Sequence, residues 1–475
     1  MNELVNLSAV ELRAALGRRD VSAVEVVRAY LAQLARTVDI NAVVTVDAEG
    51  ALARAQELDD LGPRANLPLF GLPVGVKDTH DTAGLRTTYG SIRHSEDVPN
   101  HDALHVQRMR AAGAIILGKT NVPEYAAGSH TVNRVFGATR NPYSVDRSAG
   151  GSSGGAAAAL AARQVALADG SDMGGSLRNP ASFCNVVGMR PSPGVVPSRE
   201  SANLLTPLTT IGPMGRTVDD VELLLSVIGQ PDRSTPIAAP PRGPSGRSVA
   251  LEGLRVAWAP TLGGQIPVDR DVLRVLEATV RVLESHGARI TASSPDVDGA
   301  AEAFVHLRAA EFVSEWGDAL ERDPDDFNEH LSWNINLGRT LSGRDIMRAQ
   351  ERQTTLMRSA ARFFEDFDLL LAPAATVSPF PISWDYPRRV AGEEQHNYLD
   401  WMRAATSISM LGTPALSLPA GFTDEGLPVG LQMVSAFGSD TRLLGMARTV
   451  ESLTDFASRR PTNPFPTHPR TTAAA

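Results

Sequence analysis

The sequence predicts an α/β architecture with helices on both faces of a sheet. Three observations carry this reading. Short apolar runs alternate with amphipathic stretches along most of the chain. The composition, 43% hydrophobic and 21% charged, is that of an ordinary globular protein. At 475 residues the chain is long enough for one large domain or a few ordinary ones.

The elements follow in order. Ser8 with Glu11, and Ser22 with Glu25, match the capping box S-x-x-E, so residues 7–36 read as two helices. In the second, Val26, Val27, Tyr30, Leu31 and Leu34 recur at helical spacing and suit a cover for the sheet. Residues 41–46 read as a strand, 47–58 as a helix and 68–76 as the strand that delivers Lys77. Residues 101–112 read as a helix capped at Gly113, with a buried strand over 114–117. Residues 123–146 have no period and read as loop. The alanine-rich run 156–168 reads as a helix, 191–210 as irregular and 217–228 as a helix. The proline-rich stretch 230–248 is a surface excursion. A strand (254–259), an amphipathic helix (271–286) closed by Gly287 and a strand (289–291) come next. Residues 301–367 read as helices broken near Asp323-Pro324 and at Gly338. A buried strand over 367–373 and a helix over 397–409 lead to a hairpin, 416–422 and 427–434, around Asp424-Glu425-Gly426.

Charge and cysteine usage remove several functions. A formal net charge of −9 argues against nucleic acid as the ligand, because a phosphate footprint needs clustered Lys and Arg. The one cysteine, Cys184, allows neither an intrachain disulfide nor a cysteine-held zinc, and its apolar setting reads as a packing thiol. No H-E-x-x-H occurs and the histidines are scattered, so no metal is expected. No run is apolar enough to span a bilayer. The start, MNELVNLSAVEL, lacks the basic and apolar regions of a secretory signal, and a cytoplasmic protein is expected. Gly113 to Thr120 fits the P-loop pattern G-x-x-x-x-G-K-[ST], but its inner residues, Ala-Ile-Ile-Leu, read as the strand itself and no helix-forming run follows.

The chemistry concentrates between Arg147 and Pro191. Ser152 lies in Gly150-Gly151-Ser152-Ser153-Gly154-Gly155, and Ser176 in Asp172-Met173-Gly174-Gly175-Ser176-Leu177-Arg178. Glycines let a backbone bend sharply and approach a ligand, so two such loops close in sequence suggest one site. Upstream, Phe70 to Asp78 is a short apolar run ending in Lys77 and Asp78. Gly150-x-Ser152-x-Gly154 also fits a nucleophile elbow, but that needs a later acid and then a histidine. His306 and His396 lie in unsuggestive contexts, while His80, His101, His105 and His130 precede the serine.

Strand-Lys, then GGSSGG, then DxGGSxR resembles the amidase signature family of serine hydrolases, over about residues 5 to 455. The resemblance implies a single large domain with a mixed, twisted sheet. Residues 1–60 would form an N-terminal helical cover and 61–460 the catalytic domain. Within that domain lie core motifs (70–216) and a specificity-shaping helical region (about 300–400). Residues 461–475 would be a flexible tail. By motif match it implies Ser176 as nucleophile, Ser152 as bridging serine and Lys77 as base. The Gly151–Ser152 peptide would be cis, with hydrogen-bonding separations along Lys77–Ser152–Ser176. Met173, Gly174, Gly175 and Ser176 would form the oxyanion hole. Tyr125 and Ser129 would line the substrate pocket, and Asp172, Arg178 and Ser153 would support the site. A lysine is a base only when neutral; burial must bring it from about 10.4 to about 7.

The activity implied is hydrolysis of a carboxylic amide, with anilides, esters and carbamates as chemical relatives, and with no cofactor. The family also contains the A subunits of glutamyl-tRNA amidotransferases, which act as glutaminases inside a complex, and this is the alternative. Trp316, Trp333, Trp384, Tyr386 and Trp401 suit an apolar or aromatic substrate group better than glutamine. The expected partner is a small-molecule amide, with no membrane and no nucleic acid; a homodimer is compatible with the family.

Overall fold

Both N-terminal helices begin at the predicted capping boxes. Ser8 caps α1 (Ala9–Arg18) and Ser22 caps α2 (Ala23–Arg36), each reciprocated by its glutamate; the predicted helices α3 (Ala48–Leu61), α4 (Leu104–Ala111), α7 (Val218–Ile228) and α8 (Arg270–Ser285) also form. The computed structural model describes residues 3–64, 66–199, 203–204, 208–235 and 246–461. The expected tail, 461–475, lies outside the described residues apart from Pro461, as does the middle of the proline-rich excursion.

The main sheet has eleven strands among the described residues. In chain order they are β1 (Val43–Val46), β2 (Pro73–Lys77), β3 (Ile115–Thr120), β4 (Leu167–Asp172), β5 (Val187–Arg190) and β6 (Thr210–Gly215). β7 (Arg255–Trp258), β8 (Arg289–Ala292), β9 (Leu369–Pro373), β10 (Ala415–Phe422) and β11 (Pro428–Val434) complete it. Across the sheet the order is β1-β3-β2-β4-β6-β5-β10-β11-β9-β7-β8. The pairs β3–β2, β2–β4, β9–β7 and β7–β8 are parallel and the others antiparallel, so the sheet is mixed. One continuous apolar core takes in side chains from Val5 to Val450, and the fold is a single α/β domain. Among the described residues no helix is long and apolar enough to cross a membrane.

Two expectations change here. The alanine-rich run is not one helix over 156–168. It is α5 (Gly154–Ala161), a reversal with Arg163 at φ 61°, and then β4. Alanine and leucine leave the choice open locally; pairing of Val74 with Leu167 on one side and of Pro213 with Asp169 on the other makes the segment a strand. Each serine motif therefore sits at an end of a buried element. In the helical block, α9 (Ala300–Arg322) is followed by α10 (Glu329–Thr340) and α11 (Gly343–Asp366). Gly338 lies inside α10 and does not break it. A Cβ there would come 2.2 Å from the carbonyl oxygen of Ala309, so this glycine lets α10 close on α9.

Candidate active site

β2 and β4 are parallel neighbours, and their C-terminal ends carry Lys77 and the Ser171–Asp172 pair to the same edge. Lys77 is fully buried. Its Nζ lies 2.8 Å from Ser152 Oγ, 3.1 Å from Ser153 Oγ and 2.9 Å from Ser171 Oγ. Burial pushes its ammonium down to about 7, against the pull of Asp169 and Asp172. The Gly151–Ser152 peptide is cis. The two serine motifs touch directly, because Ser153 N–H donates to the Ser176 carbonyl at 3.1 Å. The Lys77–Ser152 link is thus a hydrogen bond. Ser152 Oγ and Ser176 Oγ are not hydrogen-bonded to each other, so of the two expected links only the first is formed; the motifs are joined instead through the Ser153 N–H and the Ser176 carbonyl.

The Ser176 loop is held by an ion pair. Arg178 (α6, Arg178–Cys184) donates from Nε to Asp172 Oδ2 at 3.0 Å and from Nη2 to Oδ1 at 2.9 Å. Arg190 approaches the same carboxylate at 3.6 Å and donates to the Asp172 carbonyl. Burial opposes this charge, but the guanidiniums hold the Asp172 carboxyl well below the usual carboxylate range. Asp172 also accepts from Gly175 N–H at 2.7 Å and Leu177 N–H at 3.1 Å. This narrows the expected oxyanion donors. The Gly175 N–H is engaged by the carboxylate, whereas those of Met173, Gly174 and Ser176 have no acceptor among the described residues. Gly175 itself, at φ 112°, takes a backbone conformation that favours glycine and lets the loop turn here.

The two expected pocket residues are both buried, with different surroundings. Ser129 Oγ donates to the Gly151 carbonyl at 2.6 Å and accepts from Asn179 Nδ2 at 3.0 Å. Its hydroxyl is engaged in holding the peptide before Ser152. Tyr125 belongs to a second apolar cluster with Phe312, Phe327, Leu331 and Ile335, packed against Trp316 and Met173. Its ring is stacked on Phe327 at 5.8 Å and lies 5.0 Å from Trp316. Of the five aromatics singled out in the C-terminal half, only Trp316 is in this cluster. Trp401 is core on Phe183 and Phe380, Tyr386 is buried, and Trp333 and Trp384 are exposed.

Sequence reasoning missed two groups. Arg308, buried on α9, donates from Nη1 to Met173 Sδ at 3.0 Å and from Nη2 to Tyr398 OH at 3.0 Å. Its guanidinium lies over the Phe312 ring. One turn earlier, Phe304 closes on Gly174, where a Cβ would meet its Cζ at 2.7 Å. The second group is His80, His105 and Asp169, buried behind Lys77, with potential ligand atoms all within 4.8 Å of one another. They are joined as a hydrogen-bonded cluster: Asp169 Oδ2 lies 2.6 Å from His80 Nδ1 and 2.7 Å from His105 Nε2. The signal for Arg308 was a charge on an otherwise apolar helix face. For the cluster it was an acid inside the apolar run 165–170.

Known proteins resemble this chain over most of its length. The family model described as Amidase matches residues 25–444. An acylamidase of Rhodococcus erythropolis is 34% identical over 467 residues, covering 96% of this chain and 97% of that protein. The A subunit of a glutamyl-tRNA(Gln) amidotransferase from Symbiobacterium thermophilum is also 34% identical, over 487 residues, covering 96% and 98%. Among solved structures, a bacterial aryl acylamidase of the amidase signature enzymes superposes with a TM-score of 0.87 at 27% identity, covering 96% of this chain and 99% of that one. This chain therefore belongs to the amidase signature family and is a hydrolase acting on amides.

Proposed function

We propose that the protein is a free-standing acylamidase that cleaves apolar or aromatic amides through an acyl-enzyme on Ser176. The observation that carries this reading is the buried Lys77 amine 2.8 Å from Ser152 Oγ, brought to about 7 by burial and so available as a base. Ser176 Oγ attacks the carbonyl carbon and passes its proton to Ser152, which passes its own to neutral Lys77. The oxyanion accepts from the N–H groups of Met173, Gly174 and Ser176. Collapse breaks the C–N bond, and the proton returns from Lys77 through Ser152 to the leaving amine. Water then repeats the sequence on the ester. Asp172 and Arg178 keep the loop in shape, and Ser153 shares the Lys77 amine. Tyr125, Phe312, Trp316 and Phe327 lie beside Met173 and suit a flat apolar group.

A second reading, the glutaminase component of an amidotransferase, has support from the amidotransferase relatives, 32–34% identical over most of the chain. The deciding experiment gives the purified protein alone an acyl-anilide panel and glutamine, with peptide mapping after a fluorophosphonate. Anilide turnover with the adduct on Ser176 is expected. An adduct on Ser152 or Ser153 overturns the roles, and glutamine turnover only with partner proteins overturns the free-standing enzyme.

A further inference from the structure

The group behind Lys77 has no part in the chemistry above, yet it touches the lysine directly. Asp169 and Ser171 are alternate residues of β4 and so point to the same face of the sheet. Ser171 Oγ meets Lys77 Nζ. Asp169 Oδ1 accepts from the Lys77 backbone N–H at 2.7 Å, and His80 N–H donates to the Lys77 carbonyl at 2.9 Å. The other oxygen, Oδ2, is shared by His80 Nδ1 and His105 Nε2. The Asp169 carboxylate is therefore filled with donors on both oxygens, and it is fully buried.

Its charge is what distinguishes it. Two carboxylates bear on Lys77, and Asp172 is matched by Arg178 and Arg190. Among the described residues Asp169 has no guanidinium or ammonium in ion-pair contact, only imidazoles. Burial drives the His80 imidazole down to about 4, so it is a neutral donor at working pH. The other charged groups facing this spot are Lys119 on β3 and Asp78. The Lys119 ammonium is held by His80 O, Thr82 and Thr87, and Asp78 bonds Thr88. A buried carboxylate outside ion-pair contact with any ammonium raises the proton affinity of the amines near it, here Lys77 and, more distantly, Lys119.

We propose that Asp169, clamped by His80 and His105, is a positioning residue that sets the proton affinity of Lys77. Burial alone would strip the ammonium of its proton too readily, leaving an amine too weakly basic to take the serine proton; the nearby Asp169 charge restores part of that basicity. This inference rests on Lys77 being the base.

The test is the pH profile of kcat/KM for one anilide in wild type, Asp169→Asn, His105→Phe and Lys77→Arg, each with its melting temperature. The Asn variant is nearly isosteric. Its amide nitrogen can donate to both imidazoles once they change tautomer, and its oxygen can keep the Lys77 N–H. Its acidic limb should move down by about one pH unit. It would then keep about tenfold more of its plateau rate than wild type well below the limb. His105→Phe removes a donor and leaves the charge less offset, so its limb should move the other way by a smaller amount. Limbs that stay put in both variants, with only melting affected, overturn the proposal in favour of a packing cluster. One equivalent of metal in the wild-type protein, lost in Asp169→Asn, overturns it in favour of a metal centre. A wild type without an acidic limb, or an active Lys77→Arg, removes the Lys77 reading itself and with it this inference. A wild-type limb abolished by Lys77→Arg but unmoved by Asp169→Asn removes this inference alone.

Discussion

The floor of the site, from Lys77 to Arg178, and the helical block α9–α11 meet at Met173, and they are built on different terms. In the floor the side chains around Lys77 and Asp172 are buried and held by one another. Lys77 contacts three serine hydroxyls, Asp172 has its arginine fork, and Ser129 holds the Gly151 carbonyl. The block is amphipathic. It exposes Trp333, Met347 and Met357, and it carries Glu311, which burial pushes up to about 7. A buried hydrogen-bonded network admits few substitutions, since each loss leaves an unsatisfied partner. An amphipathic helix face admits many. The difference teaches where chemistry and selectivity are stored: floor changes should damage every substrate alike, and block changes should reorder substrates.

The largest effects should come from the floor. Ser176→Ala and Lys77→Ala should each lower kcat/KM by several orders of magnitude, equally across an anilide and a small primary amide. Lys77→Arg should be nearly as inactive, because a guanidinium cannot act as a base here. In wild type, activity should rise as pH passes upward through about 7, where Lys77 loses its proton. A fall over that range, or Arg rescue, breaks the floor's assignment.

Next comes the ion pair under Ser176. Arg178→Met leaves the buried Asp172 carboxylate with fewer partners and should cost about 3–5 kcal/mol of stability. The sign with pH is specific. In wild type the Asp172 carboxyl lies below its unfolded value, so its contribution is present above the ordinary carboxylate range and is lost as pH falls through it. In the variant, burial would raise that carboxyl and protonation would relieve it. The stability gap, measured by urea unfolding, should narrow on acidification; a gap constant with pH would make Arg178 a packing residue.

The block should respond to substrate. Trp316→Ala opens the cluster beside Tyr125 and Phe312. For an anilide the expected loss in kcat/KM is about tenfold to a hundredfold, from roughly 1.5–3 kcal/mol of apolar contact. For a small primary amide it should be slight. Equal losses would mean that the block supports the floor rather than selecting substrates.

The same division governs what could be read from sequence. Ser152 and Ser176 lie in short motifs whose glycines mark bent loops, and the resemblance to the amidase signature family adds Lys77 at the end of an apolar strand, so their meeting could be expected before any fold was known. Asp172 and Arg178 are six residues apart and find each other across one turn. Asp169 is different, because its partners His80 and His105 come from other elements and no local pattern unites them. The run after α5 shows the converse problem. Alanine and leucine carry little strand preference, and only the neighbours β2 and β6 decide that 167–172 is a strand. Arg308 was obscure for a third reason: the acid at helical spacing, Glu311, advertises an ordinary i,i+3 pair, whereas the hydrogen-bond partners of Arg308 are Met173 Sδ, Tyr398 and Asn334, far away in sequence.

Ser129 is the residue that can sharpen the boundary, since motif resemblance puts it in the pocket and its hydrogen bonds put it under the floor. Its hydroxyl donates to the Gly151 carbonyl, the oxygen of the very peptide that presents Ser152. Removing it with Ser129→Ala leaves a buried carbonyl and the Asn179 amide each short of a partner. The expected cost is about 0.5–1.5 kcal/mol, a threefold to tenfold fall in rate if it is felt at Ser152. As a floor residue, Ser129 should lower kcat with KM nearly constant, by the same factor for anilide and primary amide. As a pocket residue, it should raise KM for one and spare the other. Ser129→Thr separates the two further. It keeps the hydroxyl and adds a methyl, so a floor role predicts partial recovery of kcat, whereas a pocket role predicts a further change in substrate preference. The measurement is kcat and KM for both amides in wild type and the two variants. A substrate-dependent KM change with unchanged kcat would return Ser129 to the pocket and move the boundary between the two regions to the Gly151 carbonyl.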